Sequence, residues 1–381
     1  MNDGGDHTAP EPTGDRSSRR FVGRLTRRHV TIAGTVLVVL GLLVAIREID
    51  GGAVLADVTD ADRRYLVAAA VAYALSWPLR GRRYGDVLSA MDHRLGTAFL
   101  TAAVFVSQTA NLAIPARAGD AARAYVLKER DVPYTAGFAS LTVERLFDLA
   151  TIAALAGLAT AWLAVQGDAG PLASAATDGA RTALLAAGVV STTAVGVGAV
   201  VVTAARSNRD LAAELRTHVG GSSRRDRALE AGLRFAGDVA VVARRPRALV
   251  TIGAASLAVW ALDVLTAILV LAALDSGLAL GPLVAVGTLA VSVGNLAKVL
   301  PLSQGGVGLY EAAFTALIVA LTPVGASTAL AAAIVDHALK NAITLVGGAA
   351  SVASLGVSLT AATDEPGADR ETGSFLGQPK R

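Results

Sequence analysis

Asn111-Leu112-Ala113-Ile114-Pro115, followed by Gly119-Asp120, interrupts one apolar stretch of this chain, and Asn295-Leu296-Ala297, followed by Pro301, Gly305-Gly306 and Glu311, interrupts another. Backbone that leaves a helix at membrane depth needs protein or a water-filled cavity to receive its polar groups. Two matched breaks therefore mark a buried polar path of the kind found in transporters. The rest of the chain is apolar enough for that setting, with 53% hydrophobic and 17% charged residues over 381 positions and a mean hydropathy of +0.52. A soluble domain of this length would carry more charge. The chain reads as an integral membrane protein, all-α, built as a polytopic helical bundle.

Complete spans are expected at residues 30–46, 65–79, 138–165, 181–204, 248–274 and 327–355, since about 20 apolar residues cross a ~30 Å hydrocarbon layer. Arginine sets their direction. Arg16, Arg19, Arg20, Arg24, Arg27 and Arg28 precede the first span, Arg80, Arg82, Arg83 and Arg94 follow the second, and ten arginines lie between 206 and 247. These regions read as cytoplasmic, and 166–180, with no Lys or Arg, as external. If 95–114 crossed fully, Arg117, Arg123, Lys128 and Arg130 would face outward and each later loop would carry the wrong sign. The contradiction disappears if 95–132 enters from the cytoplasm, turns at Pro115 and leaves on the same side, and if 282–321 does the same from outside. The outcome is six full spans plus two re-entrant hairpins in an inverted repeat, with both termini cytoplasmic. A plain eight-span bundle is the alternative.

Short matches support the repeat. Val143-Glu144-Arg145 follows the first break and Val335-Asp336-His337 the second; Asp120 precedes Glu144 by 24 residues and Glu311 precedes Asp336 by 25. The chain then divides into a disordered cytosolic tail (1–29), a first membrane part (30–204), an arginine-rich amphipathic linker (205–247), a second membrane part (248–355) and a disordered tail (356–381). The stretch 30–46 reads as a retained span, because no small-residue cleavage pattern follows it.

Charged groups inside apolar spans need partners or water, and here they gather beside the breaks. One arginine, Arg145, sits between Glu144 and Asp148 at helical spacing, which makes a structural clamp. Arg117 and Arg123 offer planar forks suited to phosphate, or are juxtamembrane arginines obeying the inside bias. Gly305-Gly306-x-Gly308 presents backbone N–H groups to an anion, or is a tight turn that allows close packing. Asp336 and Lys340 form an internal ion pair by spacing, and Lys298, Glu311, His337 and Asp263 complete the set. The absence of cysteine removes thiolate chemistry, and five scattered histidines set no metal-site spacing. No nucleophile elbow, P-loop or dinucleotide fingerprint is present. The expectation is a protein with no cofactor, no metal and no catalytic activity of its own, and with no nucleic-acid partner.

Through Asn111-x-x-x-Pro115-x-Arg117-x-Gly119-Asp120-x-x-Arg123, Glu144-Arg145-x-x-Asp148 and Pro301-x-Ser303-x-Gly305-Gly306-x-Gly308-x-x-Glu311, the chain resembles the lysylphosphatidylglycerol synthase transmembrane-region family. That resemblance implies a flippase-like protein of the cell membrane that moves an anionic phospholipid or a polyprenyl-phosphate-linked glycolipid between leaflets. Its substrate-binding residues would be Asn111, Pro115, Arg117, Asp120, Arg123, Glu144, Arg145, Asp148, Asn295, Ser303, Gly305, Gly306 and Glu311. In that picture Arg117, Arg123 and Arg145 engage phosphate while Glu144 and Asp148 position them. Gln304 stands where the family commonly has proline, and Asp336-His337 where an arginine is often seen. Two other classes remain: a non-catalytic membrane scaffold for a separate glycosyltransferase or lipid-modifying enzyme, and an intramembrane enzyme using Glu144 or Asp148.

Overall fold

A computed structural model describes residues 50–113, 119–166, 223–298 and 304–356, with isolated positions at 192, 196, 199 and 203. The expected spans at 30–46 and 181–204, and both tails, lie outside the described residues. All the regular structure among the described residues is helical. In order these are α1 (Gly51–Asp60), α2 (Arg63–Ala90), α3 (Thr97–Ala113), α4 (Gly119–Lys128), α5 (Tyr134–Val165), α6 (Ser223–Arg244), α7 (Pro246–Ala273), α8 (Leu280–Ala297), a 3-10 turn (Gln304–Gly306), α9 (Leu309–Leu321) and α10 (Ala326–Leu355). The polytopic helical bundle expected from composition is present, and α5, α7, α8 and α10 are each long and apolar enough to cross a membrane.

Local chemistry sets the helix ends. The side chains of Asp50 and Asp62 accept the backbone N–H groups of Gly52 and Arg64, both at 2.8 Å, and so cap α1 and α2. Pro246 opens α7, where its missing N–H is no loss. Gly356 closes α10 in the left-handed conformation (φ 64°). Asp92 (φ 65°) and Asp275 (φ 47°) turn the chain after α2 and α7 in the same left-handed way.

These last two residues belong to a repeat that runs through the whole bundle. α2 and α7 each have 28 residues, and their starts differ by 246 − 63 = 183. Asp92 and Asp275 differ by 183 as well, as do the starts of α3 and α8 (280 − 97). Past the breaks the offset becomes 326 − 134 = 192 between α5 and α10, because the second break is longer. Helix contacts follow the same rule. α3 packs on α10 while its counterpart α8 packs on α5; α4 packs on α5 while α9 packs on α10.

α2 and α7 meet antiparallel. Asp62 donates its N–H to the Ala273 carbonyl at one end (2.8 Å), and Arg83 meets Ser256 (2.9 Å) toward the other. The repeat is therefore inverted. Each pair of short helices leaves and returns at one end of the bundle. Leu127, late in α4, clusters with Leu88 and Leu100, late in α2 and early in α3. In the second half Gly281 opens α8 against Trp162, and Thr328 at the start of α10 bonds Asp57 of α1 (2.9 Å), beside the Asp62–Ala273 contact. The two hairpins open toward opposite ends, and their tips meet: a Cβ on Gly305 would stand 2.9 Å from the Leu112 side chain.

Two expectations change in detail. Residues 65–79 are only the first part of α2, which continues through Arg80, Arg82 and Arg83 to Ala90, so those arginines are helical rather than loop residues. Nothing after Pro78 breaks the helix, and Arg83 is buried in the core. The arginine-rich linker forms α6 over its second part, and Phe235, Val239 and Val242 on it pack against Val143, Phe147 and Ile252. Its apolar face is covered by helices of the bundle. Outward faces of the long helices carry Val67, Val71, Leu75, Leu158, Val250, Leu257, Leu345 and Val346, an apolar exterior suited to lipid.

Close approach depends on small residues. A Cβ on Gly81 would stand 2.8 Å from the Thr101 backbone nitrogen, so α2 and α3 touch backbone to backbone there. Because the natural chain lacks cysteine, single cysteines at 92 and 131 are expected to react with an impermeant thiol reagent from one face of the membrane, and cysteines at 275 and 322 from the other. Labelling of 92 and 131 from opposite faces would show that α3 and α4 do not form a re-entrant hairpin.

Candidate functional site

The interior of the bundle holds two charge networks, one in each half of the repeat. In the first, Arg83 of α2 reaches across to α5. Its guanidinium donates to Glu144 (2.6 Å) and Asp148 (2.5 Å) and also to Ser256 of α7 (2.9 Å). Glu144 accepts a second guanidinium, that of Arg123 from α4 (2.5 Å), and Trp260 of α7 donates its indole N–H to Asp148 (2.9 Å). Arg83 and Arg123 are wholly buried, and Arg123 stacks on the Tyr84 ring at 4.8 Å. One buried carboxylate between two arginines ties α2, α4 and α5 together through direct charge-assisted contacts.

The arginine expected between Glu144 and Asp148 was Arg145; the structure puts Arg83 there. On a helix the residue next to Glu144 is turned about 100° away, so Arg145 points elsewhere, toward Asp120 of α4 (3.2 Å), and only grazes Asp148 at 4.0 Å. The Arg145 side chain is 29% exposed and that of Asp120 22%, the most open ion pair of this interior. Asn111 holds the first hairpin shut: its carbonyl oxygen accepts the Gly119 N–H (2.9 Å) and its amide donates to Asp120 (3.3 Å). Gly119 is required, because a Cβ would overlap the Ser107 carbonyl. Arg123, expected to engage phosphate, is buried and donates to Glu144. Pro115, Arg117 and Ser303 lie outside the described residues.

The second network centres on Asp263 of α7 and α10. Lys340 donates to Asp263 (3.1 Å) and to Asp336 (2.9 Å), the ion pair expected from spacing. Tyr310 of α9 donates its hydroxyl to Asp336 (2.6 Å), and Asn295 of α8 donates to Asp263 (3.4 Å). Arg80, the repeat counterpart of Asp263 at an offset of 183, faces it at 3.9 Å. Glu311 caps its own helix by accepting the Gly308 N–H (2.6 Å) and meets His337 Nδ1 (2.6 Å). The N-terminus of α9 thus has its own carboxylate. Gly305 (φ 62°), Gly306 (φ 77°) and Gly308 (φ 85°) supply the left-handed backbone that brings Glu311 there.

The two networks correspond. Asp120 and Arg145 in the first half match Glu311 and His337 in the second, at offsets of 191 and 192, and each pair joins the returning arm of a hairpin to the long helix after it. Sequence reasoning missed Arg83, Trp260 and Ser256. Two carboxylates at 144 and 148 already had too few cations on their own helix. The uninterrupted helical run from Pro78 to Ala90 was the signal that could have supplied one.

Arg83→Ala would leave Glu144 and Asp148 short of a buried partner, which typically costs ~3–5 kcal/mol. The expected result is a large drop in the thermal midpoint of the purified protein in detergent, whereas Arg145→Ala, at the open pair, lowers it little. Equal midpoints for Arg83→Ala and the native chain would show that the first network does not hold the halves together.

The chain is 46% identical over 380 residues to glycosyltransferase AglD of Haloferax volcanii, an alignment that takes in 94% of this chain and 59% of that protein. The chain thus spans less than two thirds of the relative it matches. This similarity to a protein named a glycosyltransferase contradicts the expectation that the chain is no enzyme, which rested on the lack of soluble-enzyme motifs. Residues 31–348 match the family described as the lysylphosphatidylglycerol synthase TM region, nearly the whole helical part of the chain and both broken segments. With the opposed hairpins and their charge networks lying inside that match, the chain is a multi-pass membrane protein that belongs to the lysylphosphatidylglycerol synthase transmembrane-region family.

Proposed function

We propose that this protein serves lipid-linked glycosyl transfer in the cell membrane by receiving the phosphate head group of an anionic lipid, or of a polyprenyl-phosphate-linked sugar, between its hairpin tips and carrying it between leaflets. The observation that carries this reading is the meeting of two oppositely opening hairpins beside a partly exposed ion pair, Asp120–Arg145. A guanidinium on a 3.2 Å carboxylate contact, still partly open to solvent, can exchange that carboxylate for a phosphate fork. Inverted repeats give such a site two equivalent conformations, one open to each side, so rocking of one half against the other provides alternating access. The similarity to a glycosyltransferase supports a sugar-bearing lipid as the cargo or reactant, and a lipid-modifying or glycosyltransferase protein as partner. Arginine-rich segments before α1 and around α6 support cytoplasmic termini.

Reconstitution into vesicles tests the reading. A head-group-labelled lipid phosphate placed in both leaflets is expected to become fully accessible to a membrane-impermeant quencher when the native chain is present. With Arg145→Ala, accessibility should fall to that of protein-free vesicles while the protein inserts and elutes normally. Native rates in that variant would refute the role of Arg145, and protein-free rates with the native chain would refute translocation itself.

A further inference from the structure

Of the cations that reach the interior, Arg83, Arg123, Arg145 and Lys340 each touch a carboxylate, at 2.5, 2.5, 3.2 and 2.9 Å, and Arg80 faces Asp263 at 3.9 Å. Lys298 has no carboxylate within ion-pair distance among the described residues. The acids nearest to it already meet other groups: Asp263 meets Lys340 and Asn295, Glu311 meets His337 and the Gly308 N–H, and Asp336 meets Lys340 and Tyr310 through Oδ2, while its Oδ1 has no hydrogen-bond partner among the described residues. Lys298 ends α8 at the hairpin tip and is partly open rather than sealed.

This lysine is held in place with care. Its ammonium stands 4.5 Å above the Tyr310 ring centroid. That ring can approach α8 so closely because position 294 is glycine, where a Cβ would come within 2.8 Å of it. On the other side the lysine stem fills the space that a Cβ on Gly306 would need, at a left-handed φ of 77°. Two glycines and an aromatic face thus fix a cation at the seam, with no carboxylate among the described residues in ion-pair contact with it. A ring face compensates only part of the hydration an ammonium loses on entering an apolar bundle, and an anion compensates far more.

We propose that Lys298 is the anion anchor of the seam, binding the phosphate of a lipid phosphate beside the Gly305-Gly306 turn, with the Tyr310 face as its resting place when no ligand is bound. The assignment rests on the lipid-phosphate reading above and adds to it the residue from the second half that shares the load with Arg145 of the first.

The test uses the full chain in neutral detergent and three probes: farnesyl phosphate, farnesol and inorganic phosphate. Native protein is expected to bind farnesyl phosphate about tenfold more tightly than farnesol, the scale of one charge-assisted hydrogen bond. Lys298→Gln and Lys298→Met, the second of which keeps the stem against Gly306, should both lose that preference, and Lys298→Arg should keep most of it. Thermal midpoints identify any variant that has lost its fold. A folded variant lacking the charge that still prefers farnesyl phosphate would overturn the role of Lys298 and leave the lipid-phosphate reading standing. A native chain that does not distinguish farnesyl phosphate from farnesol would overturn both. Inorganic phosphate binding as tightly as farnesyl phosphate would overturn the lipid assignment in favour of a free anion.

Discussion

Arg83 is the residue on which the arrangement turns, because a guanidinium with no access to water must be matched by carboxylates wherever it is placed. It lies on α2 and finds Glu144 and Asp148 on α5 and Ser256 on α7, so its own neutralisation draws three helices to one point. Glu144 passes the constraint to α4 through Arg123, and Asp148 passes it to α7 again through Trp260. Removing any charged member strands a charge in a low-dielectric interior, where breaking one partner costs more than the pair itself contributes. The apolar contacts around it bury area but are poor at choosing one register over another. The charges make that choice.

With the halves fixed in this way, the hairpins fill the space between them. Each has its own lock at the tip. Asn111 folds the first over Gly119, and Glu311 caps the second over Gly308. The locks differ in kind: an amide in one half and a carboxylate shared with His337 in the other. The repeat therefore preserves where polar groups stand while changing what they are, and the first half gathers its cations as arginines and the second mainly as lysines and a histidine. Arginine holds two acids at once through its fork, as Arg83 does. Lysine, with a single nitrogen, bridges Asp263 and Asp336 less rigidly from Lys340.

Much of this could be read from the sequence where the signal was local. Pro, Gly and Asn at the breaks announce non-helical backbone by their own geometry, and the Glu144/Asp336 spacing exposed the repeat after the tips. The 183-residue offset before the tips was hidden, because corresponding positions in α2 and α7 carry unlike residues: one helix is studded with arginine and the other is almost wholly apolar. The same arginines hid Arg83. A bias toward cytoplasmic arginine correctly describes loops, and it was applied to residues that a continuous helix carries into the core. Which arginine would satisfy Glu144 could not be read from spacing along α5, since the partner lies 61 residues away on another helix.

The contact between Arg80 and Asp263 has an implication for the history of the fold. These two positions are repeat equivalents, and each faces the other where α2 crosses α7. In a dimer of two identical separate chains inserted in opposite orientations, a position on the symmetry axis meets its own copy, so arginine would face arginine or aspartate would face aspartate. Only after the gene has duplicated can the two sites mutate separately and take opposite signs. The attraction at the centre of this bundle is thus available to two diverged halves and denied to a dual-topology dimer of identical chains, which gives a physical reason for the halves to stay distinct once they had separated.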